Sequence, residues 1–196
     1  MKRKSYHHGD LKSALFKACH KLLKNTDPSE ISLRSVADLA GVSHSAIYRH
    51  FKDKEELLDL MAAYGFDRLA SAQKKAFEKE ENSAEGFIQL GLAYIKFATT
   101  NPHYYKIMFF TRRELPSMTL KRAQIRSYSV LVSSCKTYLR DKQKQKDPRE
   151  YALMCWSLVH GYSNLCIETN FPKTEANLQK KSPPNLAEDI LRSALI

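Results

Sequence analysis

SLRSVADLAGVSHSAIYRHFKDK, at residues 32 to 54, carries the strongest structural signals in the chain. Ser32 is a good helix N-cap, and the residues after it form a short helix with one apolar face. Gly41 is expected to end that helix, because glycine readily adopts the left-handed conformation of a C-cap. Ser43 is expected to cap a second helix, and Asp53 opens the D-x-x-E signal of a third. This spacing of caps predicts a helix-turn-helix, whose second helix fits the DNA major groove.

The run AGVSHSAIYRHFKDKEELL resembles the DNA-binding domain of TetR-type transcriptional regulators. Six residues stand where the pattern of that family expects them: Gly41, Val42, Ser43, Tyr48, Phe51 and Lys54. A second match, formed by YIKFATTNPHYYKIMFF with Trp156, His160 and Gly161, is similar to the C-terminal WHG group of the family. With the helical periodicity of the chain, the resemblance implies an all-α fold of about nine helices. A three-helix DNA-binding domain is expected at residues 1–54, and a helical effector-binding and dimerisation domain at residues 55–196.

The chain is basic, with a net charge of +11 over 196 residues. Residues 1–54 hold 11 Lys and Arg against 5 Asp and Glu, a net charge of +6, so charge density is highest around the helix-turn-helix. This distribution favours a polyanionic partner, and general solubility is the alternative. Lys2, Arg3 and Lys4 form a basic arm that either lies along DNA or is simply solvated.

The candidate DNA contacts come from both helices of the motif. Side chains at the start of the second helix reach base edges in such motifs. Because these side chains are small or permissive here, DNA shape and phosphate contacts are expected to carry much of the affinity. The predicted DNA-binding residues are Ser32, Arg34, Ser43, His44, Ser45, Ala46, Tyr48, His50 and Lys54. The resemblance implies that Tyr48, His50 and Lys54 contact phosphates, whereas Phe51 is expected in the core.

The C-terminal part is expected to hold a dimer interface and a ligand site. A helix starting after Asp147 is apolar nearly all round, so it needs cover on two sides, one of them from a second subunit. The resemblance implies a homodimer formed by the last two helices. It also implies a small-molecule effector, and the lining favours an apolar one, with an ordinary aromatic core as the alternative. The candidate ligand-binding residues are Tyr94, Phe97, Tyr104, Met108, Phe109, Trp156 and His160.

The sequence therefore predicts a sequence-specific DNA-binding regulator, a repressor acting on a pseudo-palindromic operator and released by its effector. The alternative is a non-specific architectural DNA-binding protein. No cofactor, metal site or enzymatic activity is expected, because no histidine or carboxylate lies in a recognisable catalytic or metal-binding motif. The four cysteines lack metal-ligand spacing and are expected to be buried apolar residues. No apolar run approaches the roughly 20 residues of a membrane span, and no signal peptide is evident, so a cytoplasmic protein is expected.

Overall fold

The computed structural model describes residues 8–111 and 115–195, and all regular secondary structure in these ranges is helical. The helices are α1 His8–Leu22, α2 Leu33–Ala40, α3 His44–Ile47, α4 Lys54–Glu78, α5 Ser83–Thr100, α6 Pro102–Phe109, α7 Met118–Asp141, α8 Pro148–Glu168, α9 Phe171–Leu178 and α10 Pro183–Leu195. The all-α prediction is confirmed, with ten helices in the described ranges. The basic arm at Lys2, Arg3 and Lys4 lies outside them.

Residues 172–184 are mostly polar and contain three prolines, a composition that predicts a loop, but the structure places helix α9 in this segment. Pro172 occupies the first turn of α9, where proline needs no hydrogen-bond partner for its nitrogen. Pro172 and Ala176 are buried while the remaining positions are mostly polar. Two small buried residues are too weak an apolar pattern to reveal a helix of eight residues in the sequence.

The chain divides into two compact units. The first contains residues of Met1–Gly65 and His103–Arg122, and the second contains residues of Phe66–Pro102 and Ala123–Ile196. Helices α4 and α7 therefore each contribute residues to both units. The predicted functional division between residues 54 and 55 stays a prediction.

The core of the first unit is built where α1 packs on α2 and α2 packs on α3. Leu15, Val36 and Ile47 are fully buried there, one from each helix. Phe51 follows α3 and is 2% exposed, which confirms its predicted place in the core. This small apolar centre fixes the angle between the two helices of the motif and leaves their other faces uncovered.

Helix α6 is attached to the rest of the first unit by polar contacts. The Tyr104 hydroxyl lies 2.6 Å from His20 Nδ1, and the Lys106 ammonium lies 2.7 Å from the Asp27 carboxylate. Gly65 permits a close approach, because a Cβ at this position would lie 2.6 Å from the sulfur of Met108. These contacts connect α6 with α1, with the turn that follows α1, and with α4.

The second unit is organised by α5, which packs on α8 and on α10. Three stacked rings form part of its core, since Tyr138 lies 5.0 Å from Phe87 and 5.9 Å from Tyr151 between ring centroids. Both tyrosine hydroxyls donate to the backbone carbonyl of Leu195, at 2.8 and 3.0 Å. The end of α10 is thereby held against α7 and α8.

The cysteines behave largely as predicted. Cys19, Cys135 and Cys155 are buried, whereas Cys166 is only half-buried. Burial raises the pKa of the Cys19 thiol to about 12, so this group stays protonated at neutral pH. None of the helices in residues 8–111 and 115–195 combines the length and apolar character that crossing a membrane requires.

Candidate DNA-binding site and effector-binding residues

The predicted helix-turn-helix is present, and two of its helix signals act as expected. The Ser32 hydroxyl accepts a hydrogen bond from Ser35 N at 3.0 Å, and the Ser35 hydroxyl closes a capping box at the start of α2. Gly41 ends α2 in the left-handed conformation, with φ 68°. The Gly41 N–H donates to the carbonyls of Ala37 and Asp38. These bonds close the last turn of α2, and the chain then changes direction towards α3.

The second helix of the motif differs from the prediction at both ends. Ser43 occupies the N-cap position without forming a capping bond, because its hydroxyl pairs with the Ser45 hydroxyl at 3.1 Å. The motif pattern predicts that the second helix runs from Ser43 to His50, but α3 ends at Ile47. The next residues continue as turns, with His50 N bonded to Ile47 O at 2.9 Å. The recognition segment is thus one helical turn extended by a tighter turn.

Several predicted DNA contacts lie on the exposed side of this segment. Ser43 and Ser45 are exposed, and Tyr48 is 61% exposed although it is a large aromatic residue. His44, Ala46 and His50 are half-buried. An aromatic ring left in solvent beside polar side chains is typical of a surface that contacts another molecule.

The imidazole of His44 has a defined partner within the motif. Its Nε2 lies 2.6 Å from the Asp38 carboxylate at the end of α2. An acceptor at Nε2 favours the tautomer with its proton there, which leaves Nδ1 as the ring nitrogen available to a further partner. Asp38 was missed in the sequence, because a contact six residues away across a turn follows no helical spacing.

Lys54 begins α4, directly after the Asp53 cap. The Asp53 carboxylate accepts from Glu56 N at 2.9 Å, which confirms the third cap signal. The Lys54 ammonium donates to the carbonyl of Ser29 at 2.8 Å. Since an ammonium has three N–H groups, two remain for other acceptors. The bond to Ser29 therefore fixes the position of the Lys54 ammonium and leaves two of its N–H groups available to other acceptors.

The remaining predicted DNA contacts lie on α2. Ser32 and Arg34 are exposed, and the Ser32 hydroxyl is occupied by its capping role. Arg49 is a further exposed cation, located between Tyr48 and His50. Its charge and its place in the recognition segment were visible in the sequence, but no motif position drew attention to it.

The seven candidate ligand-binding residues are divided between the two units. Tyr104, Met108 and Phe109 belong to α6 in the first unit. Tyr94, Phe97, Trp156 and His160 belong to α5 and α8 in the second unit.

Three of the four residues in the second unit form a hydrogen-bonded cluster. Trp156 Nε1 donates to the Tyr94 hydroxyl at 3.2 Å, and that hydroxyl lies 2.8 Å from His160 Nδ1. The arrangement is satisfied when Tyr94 donates to Nδ1, which requires a neutral imidazole. Burial lowers the pKa of His160 below its ordinary value and favours the same neutral form. The cluster thus presents apolar ring surface with few polar atoms left over.

Two family models match the chain. The model described as bacterial regulatory proteins of the tetR family matches residues 15–61, which include the whole helix-turn-helix. The model described as a tetracyclin repressor-like C-terminal domain matches residues 87–182. The chain belongs to the TetR family of transcriptional regulators. The resemblance read from the residues around Gly41 and Lys54 is therefore confirmed.

Similar proteins support the TetR fold over nearly the full length. A solved protein of unknown function from Rhodococcus sp. RHA1 has a TM-score of 0.80 and 26% identity, over 97% of this chain and 96% of that one. The regulator FadR from Bacillus subtilis, solved in complex with stearoyl-CoA, has a TM-score of 0.70 and 12% identity, over 92% and 96%. An uncharacterized HTH-type transcriptional regulator from Haemophilus influenzae is 28% identical over 47% of this chain and 50% of its own. The chain thus spans about half the length of the curated relatives that it matches.

Proposed function

We propose that this TetR-family chain is a sequence-specific transcriptional repressor that binds double-stranded DNA as a homodimer and leaves its operator when a small apolar effector binds. The observation that carries the proposal is the exposed polar face of the helix-turn-helix, where Tyr48 and Arg49 remain in solvent. Such a face fits the major groove and the phosphates on either side of it. The site of action is the cytoplasm, and no catalytic step is assigned.

The proposed contacts divide into base readers and phosphate binders. His44, Ser45 and Ala46 face the bases, and Asp38 fixes which nitrogen of His44 is available to them. The phosphate contacts are Ser32, Arg34, Ser43, Tyr48, His50 and Lys54, with Arg49 added from its exposure. Because the base readers offer no bidentate Arg or Asn, discrimination between bases is expected to rest partly on DNA shape.

The dimer is proposed to form through α8 and α10, which are the last two helices predicted from the sequence. Leu153, Met154 and Leu165 on α8 are 55%, 46% and 48% exposed. Gly161 lies among them, and a Cβ there would meet nothing within 4 Å. Exposed apolar residues around a glycine suit the close approach of an identical helix. Two helix-turn-helix units carried by such a dimer require a pseudo-palindromic operator.

The effector is proposed to contact the candidates of the second unit, Tyr94, Phe97, Trp156 and His160. The candidates of the first unit, Tyr104, Met108 and Phe109, stay a prediction from the sequence. Release from DNA requires that the effector bind more tightly to the state that does not fit the operator. Trp156 is the single tryptophan of the chain, so its fluorescence reports on this cluster directly. Titration with the neutral aromatic probe 2-naphthol should change that fluorescence and weaken operator binding. A fluorescence change without release would remove the cluster from the regulatory site, and no change in either would reject an aromatic effector there.

The DNA-binding part is tested by selecting bound sequences from a random duplex pool with the full chain. The expected result is a pseudo-palindrome whose half-site centres lie about 10 base pairs apart or a multiple of that. The double variant Tyr48→Ala with Arg49→Ala separates affinity from sequence preference. Because both residues are proposed to contact phosphates, this variant should bind more weakly but select the same sequence. Strong binding with steep salt dependence and no preferred sequence would instead establish the architectural alternative.

A further inference from the structure

A cavity of about 580 Å³ lies within the second unit, bordered by α5, α8, α9 and α10. This volume falls in the range typical of small-molecule sites, about 300–1,000 Å³. None of the seven candidate ligand-binding residues lines it. The segment around α9, which the sequence did not reveal as a helix, supplies one wall. The cavity is therefore a separate feature from the Tyr94 cluster.

Part of the cavity wall is apolar. Leu92 and Ile95 come from α5, Pro172 from α9, and Ala187 from α10. Ile95 and Ala187 are 8% and 3% exposed, so these side chains are held by the core. Such a wall favours a ligand with a hydrocarbon body, because removing CH₂ groups from water is favourable.

The threonine hydroxyls of the wall have little left to donate, whereas the Tyr162 hydroxyl is buried without a hydrogen-bond partner among the described residues. Thr99 and Thr100 donate to carbonyls of their own helix, at 2.9 and 2.6 Å. Thr169 donates in the same way to Leu165 O at 2.6 Å. Since a hydroxyl has one proton, these side chains offer a ligand only lone pairs. Donors for an anionic ligand must therefore come from elsewhere in the wall.

Two lysines supply such donors. Lys96 from α5 and Lys173 from α9 both line the cavity and are exposed. Neither forms an ion pair with any residue that the structure describes, whereas the one lining carboxylate, Glu188, is held by Arg192 at 2.6 Å. Arg192 also binds Glu85 at 2.9 Å. The charge of Glu188 is thus balanced by Arg192, which does not line the cavity, so the lining residues keep an excess of positive charge.

We propose that this cavity binds an amphipathic carboxylate, with its hydrocarbon body against the Leu92 and Ile95 wall and its carboxylate at Lys96 and Lys173. Volume, apolar lining and two unpaired cations together specify this ligand class. A neutral molecule of the same body would leave both ammonium groups without a partner, and a cation would be repelled by them. The assignment is independent of the proposed DNA-binding function, because binding is measured without DNA.

The test is calorimetric titration of the full chain with n-octanoate and, separately, with octan-1-ol as the uncharged counterpart. Octanoate should bind more tightly than octanol. Replacing both lysines, Lys96→Ala with Lys173→Ala, should weaken octanoate by about tenfold or more, as expected for lost charge-assisted bonds. The matched control, Lys121→Ala with Lys136→Ala, removes two exposed lysines outside the cavity and should change nothing.

A second variant tests the location. Thr99→Trp places a large side chain in the cavity from an exposed position, so it should abolish octanoate binding while the melting temperature stays near that of the parent chain. Equal binding of octanol and octanoate, or octanoate binding that survives both the lysine and the Thr99 changes, would overturn the proposal, as would the absence of octanoate binding. If the chain selects no operator but still binds octanoate through Lys96 and Lys173, the repressor function is rejected and the proposed carboxylate site is retained.

Discussion

Individual side chains of the helix-turn-helix combine structural roles with proposed recognition roles. Ser32 caps α2 through its hydroxyl, and Lys54 holds the Ser29 carbonyl at 2.8 Å. If these residues contact DNA as proposed, side chains fixed in this way lose little further freedom on binding, which lowers the entropic cost of recognition. It also means that replacing such a residue affects both folding and binding, so the two must be measured separately.

Lys54→Ala is expected to weaken binding to all DNA sequences by a similar factor. The slope of log affinity against log salt should fall by about 0.9, the value for one lost phosphate contact. Loss of the bond to Ser29 should also reduce the free energy of unfolding by about 0.5–1.5 kcal/mol in a denaturant titration. Lys79→Ala, at an exposed position beyond α4, should leave the salt slope intact. An unaltered salt slope in the Lys54→Ala variant would show that Lys54 does not contact a DNA phosphate.

Gly41→Ala is expected to destabilise the fold through backbone strain alone. Gly41 has φ 68°, and a Cβ there would meet nothing within 4 Å. The cost of left-handed backbone for alanine is about 1–2 kcal/mol. Gly41→Asn should cost less, since asparagine tolerates this conformation better. Equal unfolding free energies for the alanine variant and the parent chain, measured in urea, would be incompatible with the left-handed cap.

His160 is expected to make folding stability depend on pH. Burial lowers its pKa in the fold, so below about pH 6.5, the ordinary value for histidine, the unfolded chain binds a proton that the folded chain does not. Stability should therefore be full above about pH 6.5 and decline as the pH falls towards the lowered pKa. His160→Gln should flatten this part of the profile in urea titrations between about pH 5 and 8. Tyr94→Phe keeps the imidazole and should retain the slope; a flat profile for the parent chain would contradict the assignment.

Exposed apolar residues along one face of a helix indicate that another helix or subunit packs on that face. Helix α8 buries Tyr151, Cys155 and Val159 against its own unit, yet Leu153 and Leu165 remain about half exposed. Desolvating such residues stabilises an interface by about 25 cal/mol per Å² of apolar area. The uncovered apolar face of α8 supports the proposed self-association.

Leu165→Glu is therefore expected to shift the chain from dimer to monomer, because a carboxylate would be buried without a partner. Sedimentation velocity at micromolar concentration measures the change. Ile125→Glu is the matched control, since Ile125 is a 65% exposed apolar residue on α7 and lies outside the proposed interface. Dissociation by the control instead of Leu165→Glu would move the interface to α7.

The whole molecule is expected to read DNA with two copies of the motif at one spacing. The proposed base-reading side chains of each copy are small, so specificity is expected to depend on both half-sites being engaged together. The uncovered α8 face and the exposed motif are thus parts of one proposed mechanism, in which the dimer sets the distance between the two recognition segments.

Changing the spacing between selected half-sites by five base pairs is expected to lower affinity by about tenfold or more, because half a helical turn places the second site on the opposite side of the duplex. Inserting about ten base pairs restores the face but lengthens the distance, so it should also weaken binding. Gel-shift titration measures both changes at fixed salt. Affinity that ignores spacing would show that the copies bind independently.

The sequence by itself determined the helices whose signals are local. The caps at Ser32, Gly41, Asp53 and Asp147 each depend on bonds within a few residues, and each is present where predicted. The burial of Phe51 followed from its apolar neighbourhood, and the TetR family from the resemblance of residues 40–58 to the DNA-binding motif of that family. Helix α9 was not predicted from the sequence, because Pro172 and Ala176 are the only buried residues in its pattern.

The tertiary structure alone decided which distant side chains meet. The bond between Asp38 and His44, the link between Tyr94 and His160, and the cavity at Lys96 and Lys173 join residues whose separation follows no helical period. It also divided the aromatic candidates, placing Tyr104 and Met108 in a different unit from Trp156. Periodicity specifies which face of a helix is apolar, but the packing of one helix on another selects what that face touches.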